Sequence, residues 1–317
     1  MAEAPLKVIF VAGAGRSGST LLDRLLGAAP GACSVGELRQ IWWLGLGEND
    51  FCGCGLLFRD CPFWQAAMAE AFGGFAGVDG EAARAEQSYL LRARHAPFLA
   101  WQRMPGPRSL REQQRRWAER ALRLYRAIAH VSGGATIIDS SKNPMYGLLL
   151  SGLPEIDLRV IHLVRDSRAV AYSWAQRLKP HPLKGGEPAF KLTSHTRSAV
   201  WWNVANAYTE LALPLRRRPY VRIRYEDLAR EPAATVARLA DFAGLPAIAP
   251  QASDSATFDL SAHHTVGGNP MRFEQGAIRV RSDEEWRTAL DPGGRRVVTA
   301  ITLPLLARYG YLRRNRP

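Results

Sequence analysis

No uninterrupted apolar run in these 317 residues approaches the ~20 that a membrane-spanning helix needs, so no span is expected. The opening Met1-Ala2-Glu3-Ala4-Pro5-Leu6-Lys7 lacks the basic region and long apolar stretch of a secretory signal, and the expected location is cytoplasmic. Cysteine is scarce, with four residues in all. Three cluster as Cys52-x-Cys54 and Cys61, with Cys33 upstream. Neither a second C-x-x-C pair nor a nearby histidine completes a zinc site, so a reduced, buried structural cluster is expected, with a disulfide or a metal as the alternatives. Acidic residues are outnumbered 29 to 42, for a net charge of +13. This excess suits an anionic ligand or simply a basic surface. Apart from Arg115-Arg116 and Arg216-Arg217-Arg218 the cations are scattered, and no nucleic-acid motif accompanies them, so nucleic acid is not an expected partner. No internal repeat or linker breaks the chain. Residues 1–317 therefore read as a single domain with the composition of a globular protein, 47% hydrophobic and 22% charged.

What is present is an alternation of apolar strands and helices. A strand from Lys7 to Ala12 leads through glycines into a helix from Ser17 to Ala28, which Pro30-Gly31 breaks. A return strand runs from Ala32 to Gly36. Residues 41–131 lose the alternation and read as a helical, aromatic-containing insertion on the substrate side. Strands follow at Ala135–Asp139, Leu158–Val164 and Tyr220–Arg224, with helices at Ser167–Leu178, His195–Leu213 and Glu231–Ala243. A polar loop, His263 to Gly276, and two helical stretches complete the chain near Tyr311. The pattern predicts an α/β, three-layer fold with a central, mainly parallel sheet, and the glycine loop Gly13–Gly18 between the first strand and helix makes it P-loop NTPase-like. Ligands in such sheets sit at the carboxyl ends of strands. Five stretches should therefore converge: Gly13–Thr20, Gly36-Glu37, Asp139–Lys142, Arg165–Ser173 and Tyr225–Leu228.

Gly13-Ala14-Gly15-Arg16-Ser17-Gly18-Ser19-Thr20 has the glycine spacing of a Walker A loop, with a hydroxyl at Thr20. The lysine position holds Ser19, and the nearest cation, Arg16, lies inside the loop. Asp139 could pair with Thr20 on Mg²⁺, which leaves a small-molecule kinase using Mg·ATP as an alternative, but the lysine that bridges terminal phosphates in that class is missing. A non-catalytic nucleotide-binding module is a third class. A second anion signal is Arg165-Asp166-Ser167-Arg168-Ala169-Val170-Ala171-Tyr172-Ser173, in which Arg165 and Ser173 can face one point at a loop–helix junction with no carboxylate between them.

These motifs resemble the sulfotransferases that use 3′-phosphoadenosine 5′-phosphosulfate (PAPS), the bacterial, carbohydrate and tyrosylprotein members among them. Gly15, Arg16, Ser17, Gly18, Ser19 and Thr20 are similar to their 5′-phosphosulfate loop. Arg165 and Ser173 have the spacing of their 3′-phosphate motif. Tyr225-Glu226-Asp227-Leu228 resembles the segment after the last core strand, and Gly268-Asn269-Pro270-Met271-Arg272-Phe273 with Gly276 the loop that closes over the nucleotide. The resemblance implies a cofactor site that includes Tyr225, Arg272 and Gly276, with PAPS as donor, PAP as product and no metal required. The catalytic histidine of the phenol and steroid members has no counterpart, since Ser140-Ser141-Lys142-Asn143-Pro144 contains no histidine. The resemblance instead implies that Lys142 and Arg16 stabilise the transferring group and that Glu37, after Gly36, is the base. A carboxylate salt-bridged to Arg16 or Arg39 is the alternative for Glu37. The expected acceptor is an alcohol or phenol hydroxyl of a small molecule. His162 reads as a core residue, while His263-His264 could approach substrate or be ordinary loop residues. Trp42, Trp43, Phe51, Phe58, Phe63 and Trp64 read mostly as the core of the insertion.

Overall fold

The computed structural model describes residues 4–100, 106–175, 183 and 193–312. The apolar run read as the first strand is β1 (Leu6–Ala12), and its alternating side chains supply two cores. Val8, Phe10 and Ala12 enter one apolar cluster, whereas Ile9 and Val11 enter another on the opposite face. β2 (Ala32–Gly36), β3 (Thr136–Lys142), β4 (Ile156–Val164) and β5 (Tyr220–Arg224) complete a five-stranded sheet ordered β2-β3-β1-β4-β5. All four neighbouring pairs are parallel. The sheet is thus the core of an α/β fold in which every carboxyl end points to the same edge.

On the Ile9 side lie α1 (Ser19–Gly27) and, later in the chain, α10 (Pro232–Ala243). Between β2 and β3 the chain is helical, with α2 (Pro62–Phe72), α3 (Gly80–Leu90), α4 (Ala96–Ala100) and the 24-residue α5 (Arg108–Val131). Asp79 caps α3 through Ala82 N at 2.9 Å, and Gly73 ends α2 at φ +75°. These helices share the Val8–Phe10 core: Trp64, Trp117 and Tyr125 belong to the same cluster as the strand residues. α6 (Pro144–Ser151) follows β3, its first turn capped by Asn143. α7 (Ser167–Ala175), α8 (His195–Ala212) and α9 (Tyr225–Arg230) flank β4 and β5. The expected continuation of α7 to Leu178 lies outside the described residues.

Beyond α10 come β6 (Thr257–Leu260) and β7 (Gly276–Arg279), a small antiparallel pair not anticipated from the sequence. Four-residue strands show too little alternation to be read locally. The short α11 (Trp286–Ala289) and α12 (Pro292–Arg308) end the described chain. No described helix is long and apolar enough to cross a membrane.

Gly13 leaves β1 at φ +134°, and a Cβ there would stand 2.3 Å from the Leu163 carbonyl oxygen of β4. Backbone, not a flexible side chain, occupies that space. We expect Gly13→Ala to lower unfolding stability by about 3 kcal/mol, because backbone strain and overpacking act together; urea unfolding measures it.

Candidate active site

The β1–α1 loop turns on two left-handed positions, Arg16 at φ +67° and Gly18 at φ +89°. Gly18 also lies against the Tyr225 ring, where a Cβ would come within 2.5 Å of a ring carbon. Residue type is therefore dictated twice at Gly18. α1 then begins with no side-chain cap and no acidic residue in its first turn. Its amino-terminal amides and dipole consequently favour an anion. Ser17 adds a hydroxyl that is buried without a hydrogen-bond partner among the described residues.

Two guanidinium groups converge on this loop. Arg165, at the end of β4, donates to the Arg16 carbonyl at 3.2 Å and lies over the Tyr225 ring at 4.5 Å. The Arg16 guanidinium lies over the Trp174 ring at 5.2 Å, and Gly15 is so close to that ring that a Cβ would approach it to 3.2 Å. Burial, and next the charge of Arg165, hold Arg16 below its ordinary pKa. A site that places two like charges beside a helix amino terminus is stabilised by an anion.

At the neighbouring strand ends, Lys142 and Glu37 form an ion pair, with side chains 16% and 10% exposed. Gln40 donates to the second Glu37 oxygen. Burial alone would raise the Glu37 pKa; the charge and hydrogen bond of Lys142, then Arg39 and Gln40, hold it below the usual carboxylate range. The partner is thus Lys142, not the Arg16 or Arg39 ion pair named as the alternative from sequence. Gly36 (φ +69°) is glycine because a Cβ would lie 2.7 Å from the Val266 carbonyl, and Glu37 N donates to that same oxygen at 2.7 Å. Lys142 itself is left-handed, φ +63°, and its carbonyl accepts from Gly13 N at 3.3 Å. All five strand-end stretches are therefore linked: Glu37 to Lys142, Lys142 to Gly13, and Arg165 and Tyr225 to the loop.

Several expectations change. Asp139, the possible Mg²⁺ ligand, is fully buried and accepts from Tyr125 Oη at 2.5 Å, Ser141 N at 2.8 Å and Ser141 Oγ at 2.5 Å. It braces β3 from inside the core. Thr20 Oγ1 accepts from Asn269 N at 3.1 Å, so this hydroxyl joins α1 to the C-terminal loop. Arg165 also pairs at 2.8 Å with Asp283, a carboxylate from outside the Arg165–Ser173 stretch. Ser173 is half-buried on α7. Arg272, expected at the cofactor, is buried, with one nitrogen on the Phe51 carbonyl at 2.9 Å and its guanidinium over the Phe273 ring. Its Nε and Nη1 have no hydrogen-bond partner among the described residues, so part of its donor capacity is uncommitted. Gly276 is exposed at the start of β7, paired with Leu260, with open space where a Cβ would stand.

The histidines divide. His162 is a satisfied core residue, bonded to Tyr220 Oη at 2.7 Å and Asn206 Oδ1 at 2.8 Å, with its pKa pushed down to about 4 by burial. His263 packs against Gly27 of α1. His264, remote in sequence from the cysteines, stands beside Cys52 and Cys61. A cleft of about 960 Å³ lies far from these groups, where Gly152 and Leu153 precede β4 and Arg111, Arg115 and Arg216 line the wall.

Residues 8–250 match the family model described as "Sulfotransferase family". The chain belongs to the sulfotransferase family. Human carbohydrate sulfotransferase 6 is 30% identical over 177 residues, covering 50% of this chain and 42% of that protein. Mouse carbohydrate sulfotransferase 3 is 30% identical over 174 residues, covering 50% and 34% respectively. The chain thus spans less than half the length of these curated relatives. Among solved structures, the sulfotransferase domain of the Synechococcus PCC 7002 olefin synthase aligns with TM-score 0.48 at 20% identity, over 95% of this chain and 96% of that one. The sulfotransferase domain from the curacin biosynthetic pathway aligns with TM-score 0.48 at 19% identity, over 95% and 99%.

Sequence reasoning missed Trp174, Asp283 and Gln40 in this candidate site. Trp174 adjoins Ser173 in a stretch already singled out, so its position on α7 was a usable signal. Asp283 is 118 residues from Arg165 and carried none.

Proposed function

We propose that this chain transfers a sulfuryl group from PAPS to a hydroxyl of a small molecule. The observation that carries the reading is the convergence of Arg16 and Arg165 on the uncapped start of α1, with the Glu37–Lys142 pair at the adjoining strand ends. Family membership supports sulfuryl transfer as the chemistry. The β1–α1 loop receives the 5′-phosphosulfate, while Arg165 and Ser173 receive the 3′-phosphate and Asp283 yields to it. Tyr225 fixes the loop by packing on Gly18. Arg272, through its two uncommitted nitrogens, and Gly276 complete the cofactor side.

In-line transfer forms a bond from the acceptor oxygen to sulfur and breaks the bond from sulfur to the bridging phosphate oxygen. The acceptor proton passes to the Glu37 carboxylate, and the bond pair leaves with the PAP phosphate. Charge grows on the bridging oxygen, where the loop amides, Arg16 and Lys142 supply fixed donors. In this reading Lys142 leaves Glu37 for the sulfonate when donor binds, which frees the carboxylate to accept the proton. The chain's own cations meet the charge that a divalent ion meets in kinases. The internal commitment of Asp139 and Thr20 weighs against the Mg·ATP alternative.

The curated relatives are named carbohydrate sulfotransferases, so sugar hydroxyls form the first acceptor class to screen, followed by phenols. A thermal-shift series with PAP, PAPS, ATP and ATP plus Mg²⁺ tests the donor. PAP and PAPS are expected to raise Tm, by an amount set by RT ln(1 + [L]/Kd), with no response to Mg·ATP. The reverse pattern selects the kinase.

A further inference from the structure

Cys52, Cys54, Cys61 and His264 bring four potential ligand atoms within 4.8 Å of one another. Cys61 Sγ lies 3.2 Å from His264 Nδ1, Cys52 Sγ 3.8 Å from the same nitrogen, and Cys54 Sγ 3.7 Å from Cys61 Sγ. An ion with Zn–S bonds of about 2.3 Å and Zn–N bonds of about 2.0 Å sets tetrahedral ligand atoms roughly 3.5–3.8 Å apart. The three measured edges fall within a few tenths of an ångström of that figure. A disulfide does not explain the cluster: all four cysteines are free, and the Cys54–Cys61 separation far exceeds a bond of about 2.05 Å.

The backbone around the sulfurs is built for the same purpose. Cys52-Gly53-Cys54-Gly55 forms a tight turn in which Gly55 N donates to the Cys52 carbonyl and Cys52 N to that of Leu56, both at 2.8 Å. Cys61 immediately precedes α2, whose amino terminus favours a thiolate at that position. Gly53 lets the turn press on the segment that carries His264: a Cβ there would fall 2.2 Å from Thr265 Oγ1, and Gly53 N donates to the Thr265 carbonyl at 3.0 Å. Phe63 stacks on the imidazole at 4.5 Å and 3°, which fixes the ring with Nδ1 toward the thiols.

We propose that these four side chains hold one structural zinc ion. Three thiolates and an imidazole match zinc in softness and geometry. With every position taken by protein the site is closed, so the ion serves structure and not catalysis. Its role follows from what it joins. His264 lies 203 residues from Cys61, and two residues on, Val266 accepts from Glu37 N and donates to the Val35 carbonyl at 2.9 Å. The ion therefore pins the insertion to the segment that flanks Glu37, alongside the Arg272–Phe51 contact. The proposal concerns a second site and does not depend on the identity of the sulfuryl donor or acceptor.

Elemental analysis of the purified full-length chain, expressed with zinc and handled without chelator, decides it. The expected content is about one zinc per chain, bound tightly enough to survive gel filtration. Cys54→Ser and Cys61→Ser are expected to lose most of it, whereas Cys33→Ala, outside the cluster, retains it. Co²⁺ added to the metal-stripped chain should give the visible bands and thiolate charge-transfer absorption of a tetrahedral Cys3His site, and Zn²⁺ should abolish them. The cobalt spectrum is read on the native sequence, so a misfolded variant leaves the test intact. A folded wild-type chain with no zinc, no cobalt spectrum and freely titrating thiols overturns the proposal, as does undiminished zinc in both serine variants.

Discussion

Lys142→Met is expected to lower kcat by about 10²–10³-fold, the usual loss when a preorganised donor to developing charge is removed. The structure adds a second effect that separates this role from a merely structural one. Glu37 is buried, and burial is the largest single influence on its pKa; only the charge and hydrogen bond of Lys142, together with Arg39 and Gln40, hold it down. With methionine in place, burial prevails and the Glu37 pKa rises. A base must be ionised to act, so the acid limb of the kcat/KM–pH profile, which reports the free enzyme, should move to higher pH in the variant. Stability shifts with the same sign. A carboxylate held below its ordinary value of 4.5 stabilises the native state above that pH and loses the contribution as pH falls through the folded pKa. Lys142→Met should therefore destabilise the chain by on the order of 2–3 kcal/mol at pH 7, since it leaves a buried charge unpaired, and by much less near pH 3. Unfolding curves at the two pH values check this. Unchanged turnover together with the stability loss would leave Lys142 a structural partner of Glu37 only.

The parallel sheet was legible because its signal is local. β1 and β4 are short buried runs bounded by turn chemistry, and Gly13 to Gly18 announces a loop whatever it binds. The strand-end rule then names Glu37, Lys142, Arg165 and Tyr225 with no side-chain contact known. What sequence could not show is how these residues pair. Glu37 and Lys142 were assigned separate roles, and only their meeting at adjacent strand ends reveals that Lys142 helps to hold Glu37 ionised. The same holds for Arg165 with Asp283 and for Cys61 with His264, contacts across more than a hundred residues with no periodicity to betray them. Arg272 has a contact that its motif does not announce: one nitrogen is bonded to the carbonyl of Phe51, because the insertion folds back onto the C-terminal loop. Gly13 is instructive too: in the motif it reads as a phosphate glycine, whereas its position against Leu163 makes it a packing requirement of the sheet.

Glu37→Gln is the sharpest probe of the chemistry, because it preserves shape while removing the charge and the capacity to take a proton. The amide oxygen still accepts from Lys142, so the local bonds largely persist. We expect kcat to fall by about 10²–10⁴-fold, the contribution of a positioned general base, while the donor Kd changes no more than a few-fold. The acid limb assigned to Glu37 should disappear from the residual activity. If Glu37 serves only to hold Lys142, the pattern inverts: donor affinity drops while the rate at saturation survives. Glu37→Asp discriminates further. It keeps the charge but shortens the reach, and with Glu37 N fixed to the Val266 carbonyl at 2.7 Å the backbone does not move to compensate. A base requires hydrogen-bond reach to the acceptor oxygen, so aspartate should restore only part of the rate. An electrostatic anchor for a lysine ammonium tolerates the shorter side chain, and there aspartate should behave as wild type.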